Sequence, residues 1–155
     1  MTEEFDMNVN LPNISDFENC LLEAYAKIEK RKLEFPLNLS EDNWSECVKS
    51  ATAEFWKNID IHDNIYFIFD DNEELLDVGK ASSKNKYIRT RLKQHFIAKS
   101  EDTSSKITEV QKYVLHEQRL TLYVATLRVC PEKYYQMAET FYISHFNPPW
   151  NKRED

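Results

Sequence analysis

The sequence predicts a mixed α/β (α+β) fold: a small three-stranded antiparallel sheet flanked by helices, with an N-terminal two-helix extension. Three observations predict it. Short β-rich runs occur at Ile65–Phe69, Leu75–Gly79 and Leu120–Val129. Apolar residues recur at helical spacing before, between and after them. Gly79, the one glycine in 155 residues, ends the second run, where a strand must turn or let another group approach its backbone. The length suits one domain with an appended piece, and we divide it into a helical extension (1–60) and a core domain (61–155).

Residues 1–14 carry no periodic pattern and read as a loosely docked arm. Ser15-Asp16-Phe17-Glu18 is a capping box, and Phe17, Cys20, Leu21, Ala24 and Ile28 continue a helix to about Leu33. Pro36 breaks the chain. Ser40 then caps a second helix, with Leu39 and Trp44 spaced as a hydrophobic staple. Its stripe reads Trp44, Cys47, Val48, Ala51, Phe55 and Ile59. Both helices are expected to pack on each other and on the sheet.

Asp70-Asp71-Asn72-Glu73 is a turn that makes a hairpin of the first two strands. Residues 84–98 form a helix with Ile88, Leu92 and Phe96 on one face, and 105–116 another with Ile107, Val110 and Val114. Pro131 opens the last helix, which runs to about Phe146 before Pro148 and Pro149. In Leu76-Asp77-Val78, period-two alternation sends Leu76 and Val78 to the core and Asp77 to the opposite face.

The charge is uneven. Residues 1–78 hold 6 basic and 19 acidic residues. Residues 79–99 hold Lys80, Lys84, Lys86, Arg89, Arg91, Lys93 and Lys99 with no acid. A local field of this kind suits a polyanion despite the overall charge of −7. No run of apolar residues reaches membrane-spanning length, and the acidic N-terminus has no signal-peptide character. Cys20, Cys47 and Cys130 match neither a zinc site nor a disulfide framework and read as buried thiols in a reducing, cytoplasmic setting. His62, His116 and His145 lack ligand-like spacing.

An ordered set of motifs spans 64–151. Asn64-Ile65-Tyr66 ends the approach to the first strand, and Asp77-Val78-Gly79 ends the second, followed by Lys80-Ala81. Arg91 and His95 lie four apart on the next helix. Glu139 lies on the last helix, and Asn151 follows twelve residues later in Pro148-Pro149-Trp150-Asn151. In this order the chain resembles the GIY-YIG nuclease superfamily, and its ending is similar to the N-terminal nuclease domain of the bacterial excision-repair enzyme. The resemblance implies a metal-dependent endonuclease acting on DNA, or RNA, with Mg²⁺ or Mn²⁺ held by Glu139. It implies that Tyr66 orients or deprotonates the attacking water, that Arg91 clamps a phosphate oxygen, that His95 takes a proton or bonds the phosphate, and that Asn151 fixes the glutamate or nearby backbone. Gly79, Lys80, Lys84, Lys86, Arg89 and Lys93 would face the nucleic acid.

Two positions depart from the family pattern. Asn64 stands for a glycine and Asp77 for the second motif's tyrosine. Asp77 either supports the metal as a second carboxylate or repels the phosphate. The alternative is a nuclease-like module that binds nucleic acid or a protein without cutting. A toxin or defence protein held by an inhibitor would share the cutting chemistry. The N-terminal helices are the expected surface for an inhibitor or for homodimerisation.

Overall fold

The computed structural model describes residues 14–82, 87–97 and 109–151, and the backbone of 4–6. The elements are β1 (Glu4–Asp6), α1 (Ile14–Lys27), β2 (Arg31–Glu34), α2 (Trp44–Lys57), β3 (Ile65–Phe69), β4 (Leu75–Lys80) and α3 (Ile88–Ile97). Helix α4 is described over 109–116 and finishes in π-helical turns, Lys112–His116. Strand β5 (Thr121–Cys130) follows, then a 3₁₀ turn (Glu132–Tyr134), helix α5 (Tyr135–Phe146) and a 3₁₀ turn (Pro149–Asn151).

The sheet is larger than the three expected strands. Its order is β1-β5-β3-β4, and β2 lies beside the first half of β5. The pairs β3–β4, β3–β5 and β2–β5 are antiparallel, and only the short β1 runs parallel to β5. The first helix therefore stops at Lys27 and not near Leu33. Arg31-Lys32-Leu33-Glu34 alternates about one buried residue, Leu33, and pairs with the edge of β5 at 121–124. Those ladder bonds and the burial of Leu33 outweigh one further helical turn.

The two N-terminal helices do not pack as expected. Helix α1 joins α5 on one sheet face through Phe17, Leu21 and Ala24, beneath Phe67, Phe69 and Tyr142. Helix α2 joins α3 and α4 on the other face through Trp44, Val48 and Trp56, beneath Tyr66, Ile68 and Val124. Its buried stripe includes Thr52 and Trp56, while Ala51 is exposed. Thr52 escapes a hydropathy reading because it is polar. Its hydroxyl donates to Val48 O (2.6 Å) and accepts from Trp56 Nε1 (2.8 Å), so nothing is left unsatisfied.

The caps hold in part. Ser15 lies inside the first turn of α1, which begins at Ile14. Ser40 and Asn43 exchange bonds in the turn before α2: Ser40 N–H donates to Asn43 Oδ1 (2.7 Å), and Asn43 N–H to Ser40 Oγ (3.3 Å). Leu39 and Trp44 join one core cluster. The cysteines form no disulfide with one another and are not buried: Cys20 is exposed, and Cys47 and Cys130 are partly covered. Cys20 sits about 100° around α1 from Leu21 and so misses the buried stripe. No described helix is long and apolar enough to cross a membrane.

Candidate active site at the edge of β4

Strand β4 is the edge of the sheet among the described strands, and its register on β3 sets Gly79 opposite Tyr66 and Asp77 opposite Ile68. Tyr66, Asp77 and Gly79 thus share the α2/α3 face. A Cβ at Gly79 would overlap Cζ, Oη and Cε2 of the Tyr66 ring. The lone glycine is therefore needed for close approach; its φ is not positive, so no turn conformation requires it. Tyr66 is buried and lies across β4 with its hydroxyl above Gly79.

The expected alternation around Asp77 fails at one residue. The pairing slips between Ile68 and Phe69, so Leu76 is the extra residue of a bulge. Leu76 packs on the same face as Tyr66, while Val78 packs on the α1/α5 face. Asp77 keeps the side of Tyr66 but is fully buried, not open to a cleft.

The charges of Asp77, Arg91 and Glu139 act on Tyr66, and the His95 ring lies near its ring. Burial holds the Tyr66 pKa well above the usual 10, and the negative charges of Asp77 and Glu139 push it further while Arg91 opposes them. The His95 ring is 6.0 Å from the Tyr66 ring, tilted by 51°. Arg91 itself is exposed on α3, one turn before the half-buried His95. Tyr66 from β3, Arg91 and His95 from α3 and Glu139 from α5, three separate stretches, are thus brought to one region.

Glu139 stands on α5 where that helix packs against β4. Its Oε1 accepts a 3.0 Å bond from Lys80 Nζ, with the two side chains 18% and 33% exposed. Lys80, expected on nucleic acid, is thus paired with the carboxylate expected to hold metal. Asn151 reaches the same strand from the chain's far end. Its Oδ1 accepts from Val78 N–H (2.8 Å) and its Nδ2 donates to Val78 O (2.9 Å), which fixes the β4 backbone between Asp77 and Gly79.

Asn64 does the corresponding thing inside the sheet. Its amide accepts from Val129 N–H (2.8 Å) and donates to Val129 O (3.0 Å). Asn64 thereby extends the β3–β5 ladder by one rung. The substitution itself was visible in the sequence, but its partner sixty-five residues away was not.

Among the expected nucleic-acid residues, Lys93 is exposed on α3. Arg89 is engaged elsewhere: its Nη2 donates to Ile59 O (2.7 Å) and Lys57 O (3.2 Å), closing the C-terminal end of α2. Lys84 and Lys86 lie outside the described residues. No group of three or more His, Cys, Asp or Glu side chains able to hold a metal occurs among the described residues.

No protein-family model and no curated protein matches the chain. Among solved structures, a mutant of bacteriophage T4 EndoII is similar over 84% of this chain and 96% of its own, with a TM-score of 0.52 and 20% identity. EndoII is a GIY-YIG nuclease. This chain shares the overall fold of that structure. At this identity the likeness concerns the fold alone. Its 84% exceeds what residues 61–155 can supply, so the likeness takes in part of the N-terminal segment.

Proposed function

We propose that the protein is a metal-dependent endonuclease acting on DNA. One observation carries the reading: Tyr66, pressed onto Gly79, has Asp77, Arg91 and Glu139 within electrostatic reach, on a fold similar to a phage endonuclease. Phosphodiester hydrolysis needs a directed water, neutralisation of charge building on phosphate oxygens, and help for the departing 3′ oxygen. Tyr66 remains a phenol at neutral pH, so it orients the water by hydrogen bonding and does not act as a phenolate. Arg91 offers the planar fork that grips a phosphate oxygen. His95 supplies a donor or a proton beside it. Asn151 holds the strand that presents Gly79.

The residues fit a site with one protein carboxylate. Glu139 is partly exposed and among the described residues has a lysine on Oε1, and Mg²⁺ and Mn²⁺ accept one carboxylate with water filling the remaining positions. Such an ion, when bound, supplies Lewis-acid stabilisation of the phosphate. Asp77, fully buried on the face of Tyr66, works on that hydroxyl; direct support of the metal is a separate role that the Asp77→Asn variant tests. Binding centres on the 79–99 segment through Lys80 and Lys93, and Lys84 and Lys86 belong to the same basic stretch of sequence. Salt should weaken it steeply because the lysines displace counterions from phosphate.

A second reading is a module that binds without cutting. Buried, negative Asp77 beside Tyr66 and the existing Lys80–Glu139 pair favour it. Plasmid nicking across a Mg²⁺ titration decides between them, with wild type, Glu139→Ala and Asp77→Asn. The nuclease reading expects cutting by wild type and none by Glu139→Ala. It expects Asp77→Asn to cut about tenfold more slowly. Faster cutting by Asp77→Asn would mark the aspartate as a brake. No cutting by any of the three on DNA or RNA assigns the protein to the second reading.

A further inference from the structure

A cleft of about 640 Å³ lies away from the β4 edge, between the end of α2, the start of β2 and the middle of β5. Its rim carries Lys27, Arg31 and Lys57, and its wall includes Asp63 and Thr126. Most acids around it already have cations: Glu29 pairs with Arg31 (3.3 Å), and Asp60 with Arg128 (3.5 Å). Asp63 differs. It is 3% exposed; its Oδ2 accepts from Thr126 Oγ1 (2.6 Å), and its Oδ1 has no hydrogen-bond partner among the described residues. A buried acceptor without a donor is costly, so a fold that keeps one has a use for it.

The cleft's chemistry narrows the ligand. A simple anion suits the rim but not the carboxylate, and an apolar ligand suits neither. No metal-holding group of carboxylates, histidines or cysteines occurs among the described residues. A ligand with a phosphate at one end and an N–H donor at the other satisfies both, and the volume is that of a small-molecule site. We propose that this cleft binds one nucleotide of a nucleic-acid strand, its phosphate on the Lys27–Arg31–Lys57 rim and the amino group of its base on Asp63. The choice of a strand as the source rests on the nuclease reading. Binding turns the carboxylate toward the cleft about its bond to Thr126. Cytosine, adenine and guanine carry the required amino group. Uracil and thymine place a carbonyl where cytosine has it, and a carboxylate rejects a carbonyl.

The protein would be titrated at pH 7.5 with dCMP and with dUMP, which differ in the amino or carbonyl group on C4 and in the N3 acceptor or N–H beside it. Amide NMR shifts would report the location and isothermal titration the affinity. The expected result is shifts at Asp63 and Thr126 and a preference for dCMP of about tenfold or more. Asp63→Asn should lower that preference to about threefold or less, because its amide can donate as well as accept. Lys57→Glu should weaken both nucleotides equally. A short oligothymidylate with one central cytosine should compete with dCMP. Shifts confined to other regions, equal affinity for the two nucleotides, or an unchanged preference in Asp63→Asn overturns the site. Failure of the oligonucleotide to compete overturns the strand as its source. Glu139→Ala should bind dCMP as wild type does. A protein that binds dCMP here yet cuts nothing therefore refutes the nuclease reading and not this one.

Discussion

On the α1/α5 face the sheet is covered by rings: Tyr25 lies 5.2 Å from Phe67 and 4.4 Å from Phe146, and Phe67 lies 5.0 Å from Tyr142. A buried polar atom there, the Tyr142 hydroxyl, donates to Leu21 O at 2.6 Å, and burial raises its pKa. On the α2/α3/α4 face, the buried residues include Thr52, Asp77 and Gln111 beside Tyr66. Asp63 reaches the same face through Thr126, which pairs with Tyr66 across the strands. One face is packed for cohesion, while the other accepts buried polar groups at a cost to stability. The candidate site sits mainly on the second face and takes Glu139 from α5, a helix of the first.

The difference can be broken first on the dry face. Phe67→Ala removes a fully buried ring and should cost about 3–5 kcal/mol in urea unfolding. Cutting per folded molecule should survive. If cutting falls while the unfolding midpoint holds, the faces are not separable. Gly79→Ala comes next, at about 1–3 kcal/mol, because the new methyl drives the Tyr66 ring from its seat. Here cutting should fall more than stability does, the reverse of Phe67→Ala. A neutral Gly79→Ala would show that the ring does not rest on β4.

Asp63 sharpens the contrast with pH. Burial lifts its carboxyl to about 6 from an ordinary 3.8, partly offset by the Thr126 bond; Asp60 raises it and Arg128 lowers it. The folded protein therefore holds more protons than the unfolded chain between those values, and this group's contribution falls as pH rises through about 6. Its penalty is fully present above that point and is relieved toward pH 4. Asp63→Asn should accordingly stabilise the protein by about 1–2 kcal/mol at pH 7.5, and the gain should vanish near pH 4. Urea midpoints at both pH values check this, and a pH-independent difference would contradict it. The smallest effect is expected from Asn151→Ala, about 1 kcal/mol from two lost bonds to Val78. Its exchange signature should be local, with faster amide exchange at Val78.

Much of this arrangement was legible in the sequence because it depends on local signals. The hairpin, the single glycine, the Arg91–His95 spacing and the Glu139-to-Asn151 interval are read along one stretch at a time. What was not legible depends on tertiary partners. Arg31–Glu34 becomes a strand only because β5 offers an edge. Leu76 changes face because the ladder slips beside it. The two N-terminal helices have similar amphipathic patterns, and nothing in either pattern says which sheet face it will meet. Arg89 looked like one more cation in a basic run, yet the carbonyls it binds lie thirty residues earlier. Asp63 carried no signal, because a lone aspartate before a strand reads as a turn.

The Asn151 amide on Val78 has a consequence for self-association. An unprotected edge strand presents a row of donors and acceptors to any other extended chain. Here the N–H and C=O of Val78 are already occupied by a side chain that imitates a peptide group. The outermost strand therefore cannot take a further strand through that residue, and sheet-to-sheet growth is stopped beside Gly79. The same amide that steadies the candidate active site also acts as a guard against aggregation, leaving that edge open to a ligand approaching from the side but closed to another copy of the chain.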